Sequence, residues 1–342
     1  MERVVRYTKF ANNPYGDGGS KRSVQIEEFW KQQGAEFIDE KFPLPKQYST
    51  LKAVKWCFRA VRFITKHIGW KKFPMLKDKF NAILAYALRL PAIYDKYKGQ
   101  EVVFLWENTN DVAALYLMKV AGAKVIGYPH NLESLVPTQV DPLSHKKAPY
   151  WLLEEVECLQ LCDEVYCISR EETWLLSLFG INAHYYPYYP PKQVEEHFLQ
   201  IRAHRESKAT NSSKSYLLLG SATNWPTRQG MEFVLSHFDD VQLPYRIIVA
   251  GYGTDTLLKT KNQNIVCLGA LSQEQLEQCL VATDGIIIYQ NPTSGALTRI
   301  AEMNVASVPV YANFAAARSY FECENVHVYD DFEHLYMLLI ER

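Results

Sequence analysis

Two Rossmann-like α/β domains, each on its own parallel sheet, are the fold this sequence predicts. Three observations lead there. The chain has 342 residues, which at ~100–200 residues per domain is more than one domain's length. Short apolar runs alternate with helix-length amphipathic stretches, the pattern of right-handed βαβ units. One irregular stretch, Pro187–Ser215, leaves about six such runs on each side.

In the first half the strand candidates are Val4–Lys9, Glu36–Ile38, Val102–Trp106, Lys124–Tyr128, Val165–Ser169 and His184–Pro187. In the second they are Tyr216–Gly220, Arg246–Gly251, Ile265–Leu268, Gly285–Tyr289, Val308–Ala312 and Val326–Tyr329. The helix candidates between them are Val112–Ala121, Tyr150–Leu161, Glu171–Phe179, Gln229–Phe238, Gln273–Leu280 and Leu297–Asn304. The dividing stretch opens on Pro187-Tyr188-Tyr189-Pro190-Pro191 and closes on a Ser/Asn/Thr cluster, with a charged helix between. That composition reads as a linker. The expected organisation is a first domain over 1–190, a linker over 191–214 and a second domain over 215–342. The last helix is a candidate to pack back on the first domain.

Composition narrows the class. The chain is 48% hydrophobic and 22% charged, which excludes a disordered or collagen-like protein. The 37 basic and 38 acidic residues leave a net charge of −1, which excludes a chain that coats nucleic acid. The charge is unevenly spread. Lys46–Lys98 holds 13 cations and 2 acids, so this segment is +11 and the remainder −12. The seven cysteines include no Cys-x-x-Cys pair, so reduced thiols are expected and no metal site. The N-terminus lacks a signal peptide's apolar core, and no run approaches the ~20 apolar residues of a membrane span. A cytoplasmic protein is expected, with any membrane contact peripheral and on the cytoplasmic face.

Five loops fall where strands run into helices. Asn12–Ser20, with Gly18-Gly19, follows the first strand. Glycines there permit close backbone approach to an anion, and an ordinary turn fits the same residues. His130 follows the fourth strand, at the carboxyl edge where open α/β sheets bind ligands. In the second half the loops Gly220–Gly230 and Ala250–Thr254 sit at the same kind of edge. So does Gln290–Leu297, whose following helix offers free N–H groups to a diphosphate and a positive charge at Arg299. Glu302 lies about two turns further on and is placed to accept hydrogen bonds from a ribose.

Taken in order, these landmarks resemble the retaining, family-four type of GT-B glycosyltransferase. They are Gly18-Gly19, His130-Asn131-Leu132-Glu133-Ser134-Leu135, Cys162–Ser169, Pro187–Pro191, the Gly220-Ser221…Asn224-Trp225-Pro226…Arg228…Gly230 loop, Val249–Gly253, and Ser294-Gly295 through Glu302 to Ser307–Val310. The resemblance covers both halves and implies two domains facing a central cleft. It implies a nucleoside-diphosphate sugar as donor, a glycan or lipid-linked acceptor, and no metal or other cofactor. Polysaccharide or glycolipid biosynthesis is the implied setting. His130, Arg228 and Arg299 are the implied catalytic residues. Gly18, Gly19, Gly220, Ser221, Asn224, Gly251, Tyr252, Ser294, Gly295, Ala296, Leu297 and Glu302 are the implied donor-binding residues. Two positions depart from the family. Ser294 stands where the family has the first of two glutamates, and Ser221 and Gln229 stand where it has an arginine and a lysine. Lost positive charge at a leaving diphosphate costs roughly a few kcal/mol in the barrier. A weak or inactive nucleotide-sugar-binding or scaffold protein is therefore the alternative reading, with an epimerase as a third.

The basic segment contains a helix-like stretch. Lys52, Lys55, Arg59, Arg62 and Lys66 fall within an arc of about 80° at the helical period, beside an apolar arc of Leu51, Val54, Phe58, Val61, Ile64 and Ile68. An interfacial helix over 51–72 on an anionic membrane has this form, as does a solvated surface helix or a dock for an acidic acceptor.

Overall fold

The computed structural model describes residues 2–8, 10–40, 50–63, 93–107, 112–136, 152–207, 213–257 and 259–341. It divides into two compact units, Met1–Pro187 and Tyr188–Arg342.

The first unit carries β1 (Arg3–Tyr7), β2 (Glu36–Asp39), β3 (Val103–Trp106), β4 (Lys124–Gly127), β5 (Glu164–Cys167) and β6 (Ala183–Tyr185), in the order β2-β1-β3-β4-β5-β6. Every pairing is parallel. All four residues of β3 are buried because the sheet is covered on both faces. Phe104 and Trp106 pack with Leu115, Met118 and Leu159 on one side. Val103 and Leu105 pack with Ile26, Trp30, Ile126 and Tyr128 on the other. The two-residue period of a strand makes this division. Burying one such side chain stabilises by roughly 1.5–3 kcal/mol. At the entry to β4, Asp163 accepts from Val125 N at 2.7 Å and from Lys119 Nζ at 2.9 Å. Burial would raise its carboxyl, but Lys119 and the Val125 amide hold it below its ordinary value.

The second unit carries β7 (Ser215–Leu219), β8 (Arg246–Ala250), β9 (Ile265–Gly269), β10 (Gly285–Ile288), β11 (Val310–Asn313) and β12 (Val326–Tyr329), in the order β12-β11-β10-β7-β8-β9. The pairings are again parallel. Its core is rich in tyrosine. The Tyr216 ring meets Tyr245 and Tyr311 edge-on at 5.2 and 5.5 Å. Tyr216 donates to Leu339 O at 2.6 Å and Tyr329 to Ile288 O at 3.0 Å, so these buried hydroxyls find partners.

The twelve strands among the described residues lie within two residues of the ranges expected from sequence. Two helices differ in an instructive way. The helix expected from Gln229 starts at Trp225, because Pro226 fits a first turn, where its missing N–H has no helical partner. The charged helix inside the supposed linker, Lys192–Glu206, buries Val194, Phe198 and Ile201 within the second unit. Its Arg205 donates to Thr283 O at 2.7 Å and also to Leu280 O, satisfying carbonyls at the end of the helix Gln273–Ala282. The last helix, Phe332–Glu341, is anchored in the second unit's core. Leu335 and Leu339 are one turn apart and both fully buried there.

No helix among the described residues is long and apolar enough to cross a membrane. Among the same residues no group of three His, Cys, Asp or Glu side chains is placed to hold a metal ion.

Candidate active site

Open parallel sheets bind ligands where the strand order reverses, outside the carboxyl ends of the strands. In the second unit that point lies between β7 and β10. A cavity opens there, lined by Leu218, Leu219, Pro226, Gly230, Leu297 and Arg299 among others. The loop after β7 and the loop after β10 form its walls, and each runs into a helix, Trp225–Phe238 and Thr298–Val305. Asn224 and Leu297 occupy the two N-cap positions, and neither side chain caps its helix. Both helices therefore start without a side-chain acceptor of their own, which suits an incoming anion.

Arg299 is the second residue of the second of these helices. Its guanidinium donates to Leu219 O and lies directly beneath Gly220, where a Cβ would come within 2.7 Å of it. Burial lowers the Arg299 guanidinium from its ordinary value, and the charge of Glu302 works against that. Glu302 is only 5% exposed and accepts from Tyr188 Oη at 3.1 Å. A buried carboxylate beside a buried arginine, on the helix that enters the crevice, is a prepared polar group rather than a solvated helix acid.

The glycine-rich loops meet at the β7–β8 edge. Gly251 has φ +129°, and a Cβ there would lie 2.0 Å from Gly220 O. Only glycine lets the two loops touch. The Ala222 amide donates to Tyr252 O at 2.8 Å, locking Ser221 and Tyr252 side by side, with the Tyr252 ring 69% exposed. Ser221 pairs its hydroxyl with Thr223 at 2.6 Å. Ser294, Gly295 and Ala296 form the turn before the helix Thr298–Val305, and Arg318 donates to Gly295 O. Thus Gly220, Ser221, Asn224, Gly251, Tyr252, Ser294, Gly295, Ala296, Leu297, Arg299 and Glu302 gather at one sheet edge of the second unit. Arg228 does not line the cavity. Its guanidinium donates to Thr256 Oγ1 at 2.9 Å and Thr256 O at 2.8 Å, and its Nε faces Glu232 at 2.9 Å.

In the first unit the order reverses between β1 and β3. There the corresponding helix, Gly18–Gln32, is capped by its own Asp17, which accepts from Ser20 N at 2.8 Å. A Cβ at Gly19 would meet the Phe10 ring at 2.3 Å, so this glycine makes room for Phe10. Phe10 in turn stacks on His130, with ring centroids 4.4 Å apart and planes 4° from parallel. The segment around His130 is pinned from behind. Glu155, fully buried, accepts from the amides of Glu133 and Ser134 at 2.9 and 3.0 Å and from Ser134 Oγ at 2.6 Å. Its burial raises the carboxyl, and those donors pull the other way.

Sequence reasoning missed the group beside His130. Glu107, at the carboxyl end of β3, is fully buried, and its Oε2 lies 3.8 Å from His130 Nε2. It accepts from Ser23 Oγ and, at 3.4 Å, from Arg6 Nη1. Arg6 is 1% exposed and also bonds Asp39 at 2.6 and 2.8 Å and Glu27 at 2.9 Å. Burial alone would raise the Glu107 carboxyl, but His130, Arg6 and Ser23 hold it below its ordinary value. The available signal was a lone arginine inside the apolar run Val4-Val5-Arg6-Tyr7.

Two doubly wound parallel units, the second with a cavity at the point where its strand order reverses, define a two-domain Rossmann-like architecture. No family model and no curated protein matches the chain. Solved structures do match. A sucrose-phosphate synthase from Thermosynechococcus elongatus superposes with a TM-score of 0.59 at 13% identity, over 100% of this chain and 89% of that one. HepE from Anabaena, solved with UDP-glucose, gives 0.56 at 10% identity, over 100% and 89%. The catalytic domain of starch synthase IV from Arabidopsis thaliana, bound to ADP and acarbose, gives 0.61 at 9% identity, over 100% and 91%. The chain has the GT-B fold of these structures.

Proposed function

We propose that the protein is a glycosyltransferase that moves a sugar from a nucleoside-diphosphate donor to a glycan or lipid-linked acceptor, with retention and without a metal ion, in polysaccharide or glycolipid synthesis. The observation that carries this is the β7–β10 crevice. An uncapped helix N-terminus, the buried Arg299 beneath Gly220, and the buried Glu302 converge there. Helix amides and one fixed guanidinium stabilise the charge that develops on a leaving diphosphate. Glu302 supplies an acceptor for ribose hydroxyls and Tyr252 an exposed ring for the base. Solved proteins of this fold hold UDP-glucose or ADP, which supports the donor class.

The test is a panel of UDP-, GDP- and ADP-sugars, followed by calorimetry and by release of the free diphosphate. One donor should bind, and Glu302→Ala should weaken it about tenfold. Absence of binding by every donor would end the proposal. Binding with no transfer to any acceptor would select the alternative, a donor-binding protein without turnover, for which Ser294 and the commitment of Arg228 to Thr256 and Glu232 speak.

An anionic membrane is the proposed second partner. The helix Thr50–Phe63 leaves Leu51, Val54 and Phe58 85%, 63% and 72% exposed, beside exposed Lys55, Arg59 and Arg62. Apolar anchors beside cations suit the interface of an anionic bilayer. Lys66 and the remainder of the segment to residue 72 lie outside the described residues. Flotation with anionic vesicles at low salt should carry the protein up, and high salt should release it.

A further inference from the structure

His130 is the one predicted catalytic side chain in the first unit, and its surroundings are unusual. The side chain is nine-tenths buried, and neither ring nitrogen has a hydrogen-bond partner among the described residues. Buried polar groups are seldom left so, and each exception calls for a reason. One face of the ring is covered by Phe10. The Nε2 edge faces the fully buried Glu107. At 3.8 Å the contact is longer than a hydrogen bond, but a carboxylate at that distance in a dry site still orients the imidazole dipole.

Glu107 is itself held as an anion. Arg6 faces its Oε1, Ser23 Oγ donates to its Oε2, and Arg6 is fixed by Asp39 and Glu27. A fixed negative charge next to Nε2 favours the proton on that nitrogen. Nδ1 then carries a lone pair and no proton, in a buried position with no partner among the described residues. A group that accepts at such a point is matched by an O–H donor, and a sugar hydroxyl is the ligand of that chemistry.

We infer that Glu107 is a positioning residue: it fixes His130 as the Nε2–H tautomer, so that Nδ1 accepts a hydrogen bond from a substrate hydroxyl. The inference rests on the transferase reading for the nature of the substrate, and on the geometry alone for the tautomer. Arg6 is the support for Glu107, and Ser23 the second donor that stops the carboxylate rotating.

Glu107→Gln separates positioning from mere packing. Arg6 only donates, so the amide oxygen must stay on the Arg6 side. The amide NH2 then faces Ser23 and His130, and Nε2 must accept. The tautomer inverts, and Nδ1 becomes a donor where the substrate also donates. Inverting a histidine in this way disables it while leaving the site intact in shape.

Nitrogen-15 spectra of histidine-labelled full-length protein, recorded without donor at a pH where imidazole is neutral, read this directly. The His130 signals are assigned by their loss in His130→Asn. The wild type should show a pyrrole-type Nε2 and a pyridine-type Nδ1, and Glu107→Gln should exchange them. An Nδ1–H tautomer in the wild type overturns the inference, even if Glu107→Gln does not fold. An unchanged tautomer in a folded Glu107→Gln overturns it too. Once a donor is known, Glu107→Gln should lower kcat by at least about tenfold, with little change in donor KM. The spectra need no donor, so they stand or fall separately from the proposal of sugar transfer.

Discussion

The two units share six parallel strands and a reversal point, yet they fill that point differently. In the first unit, Arg6, Ser23 and Glu107 close it with a buried charge cluster, and Asp17 caps the adjoining helix. In the second, an apolar-walled cavity remains, and Leu297 leaves the adjoining helix without a side-chain cap. A helix that supplies its own carboxylate has no need of a ligand anion, whereas one that begins on leucine does. The same architecture thus yields one crevice suited to a diphosphate and one suited to holding a histidine. Gly19, in the loop that reads as a phosphate loop in the sequence, gives room to Phe10.

This contrast can be broken by substitution. The largest effect is expected from Arg299→Ala, which removes the only cation among the residues that line the cavity. Hydrogen bonds to charged groups are worth ~1.5–3 kcal/mol, so donor affinity should fall about a hundredfold by calorimetry. Leu297→Asp gives the second unit the cap that the first already has. It should raise the melting temperature slightly and weaken diphosphate binding about tenfold, because a resident carboxylate takes the amides.

The first unit should respond to acid. The Glu107 and Asp163 carboxyls are held below their ordinary values. A depressed carboxylate contributes stability that is present above its unfolded pKa and lost as pH falls through the folded one. Thermal stability should therefore decline below about pH 4, and Asp163→Asn should flatten that decline. Asp17→Ala is the smallest and most local change. It should cost ~1 kcal/mol of stability and leave donor affinity alone.

Much of this fold is legible in the sequence, because a buried parallel strand must be a short apolar run and a crossover must be a helix. The second crevice is nearly as legible. Its glycines, Arg299 and Glu302 lie within two short loops and one helix, so local spacing places them. The first crevice is not. Arg6 and Glu107 are 101 residues apart and meet only because β1 and β3 pair with Arg6 opposite Leu105. In the sequence Glu107 opens the polar run Glu107-Asn108-Thr109-Asn110-Asp111 and looks like any loop acid. The position of Arg228 is hidden in the sequence for the opposite reason. It sits next to the right loop, but the helix that starts at Trp225 turns it toward Thr256 and Glu232.

The central claim is that the donor's diphosphate belongs to the second unit's crevice. Calorimetric titration of UDP, GDP and ADP into the full-length wild type, Leu297→Asp and Asp17→Ala tests it most directly. The diphosphate that binds the wild type should bind Leu297→Asp about tenfold more weakly and Asp17→Ala equally well. Weakened binding by Asp17→Ala with Leu297→Asp unaffected would contradict it and move the site to the first unit's helix.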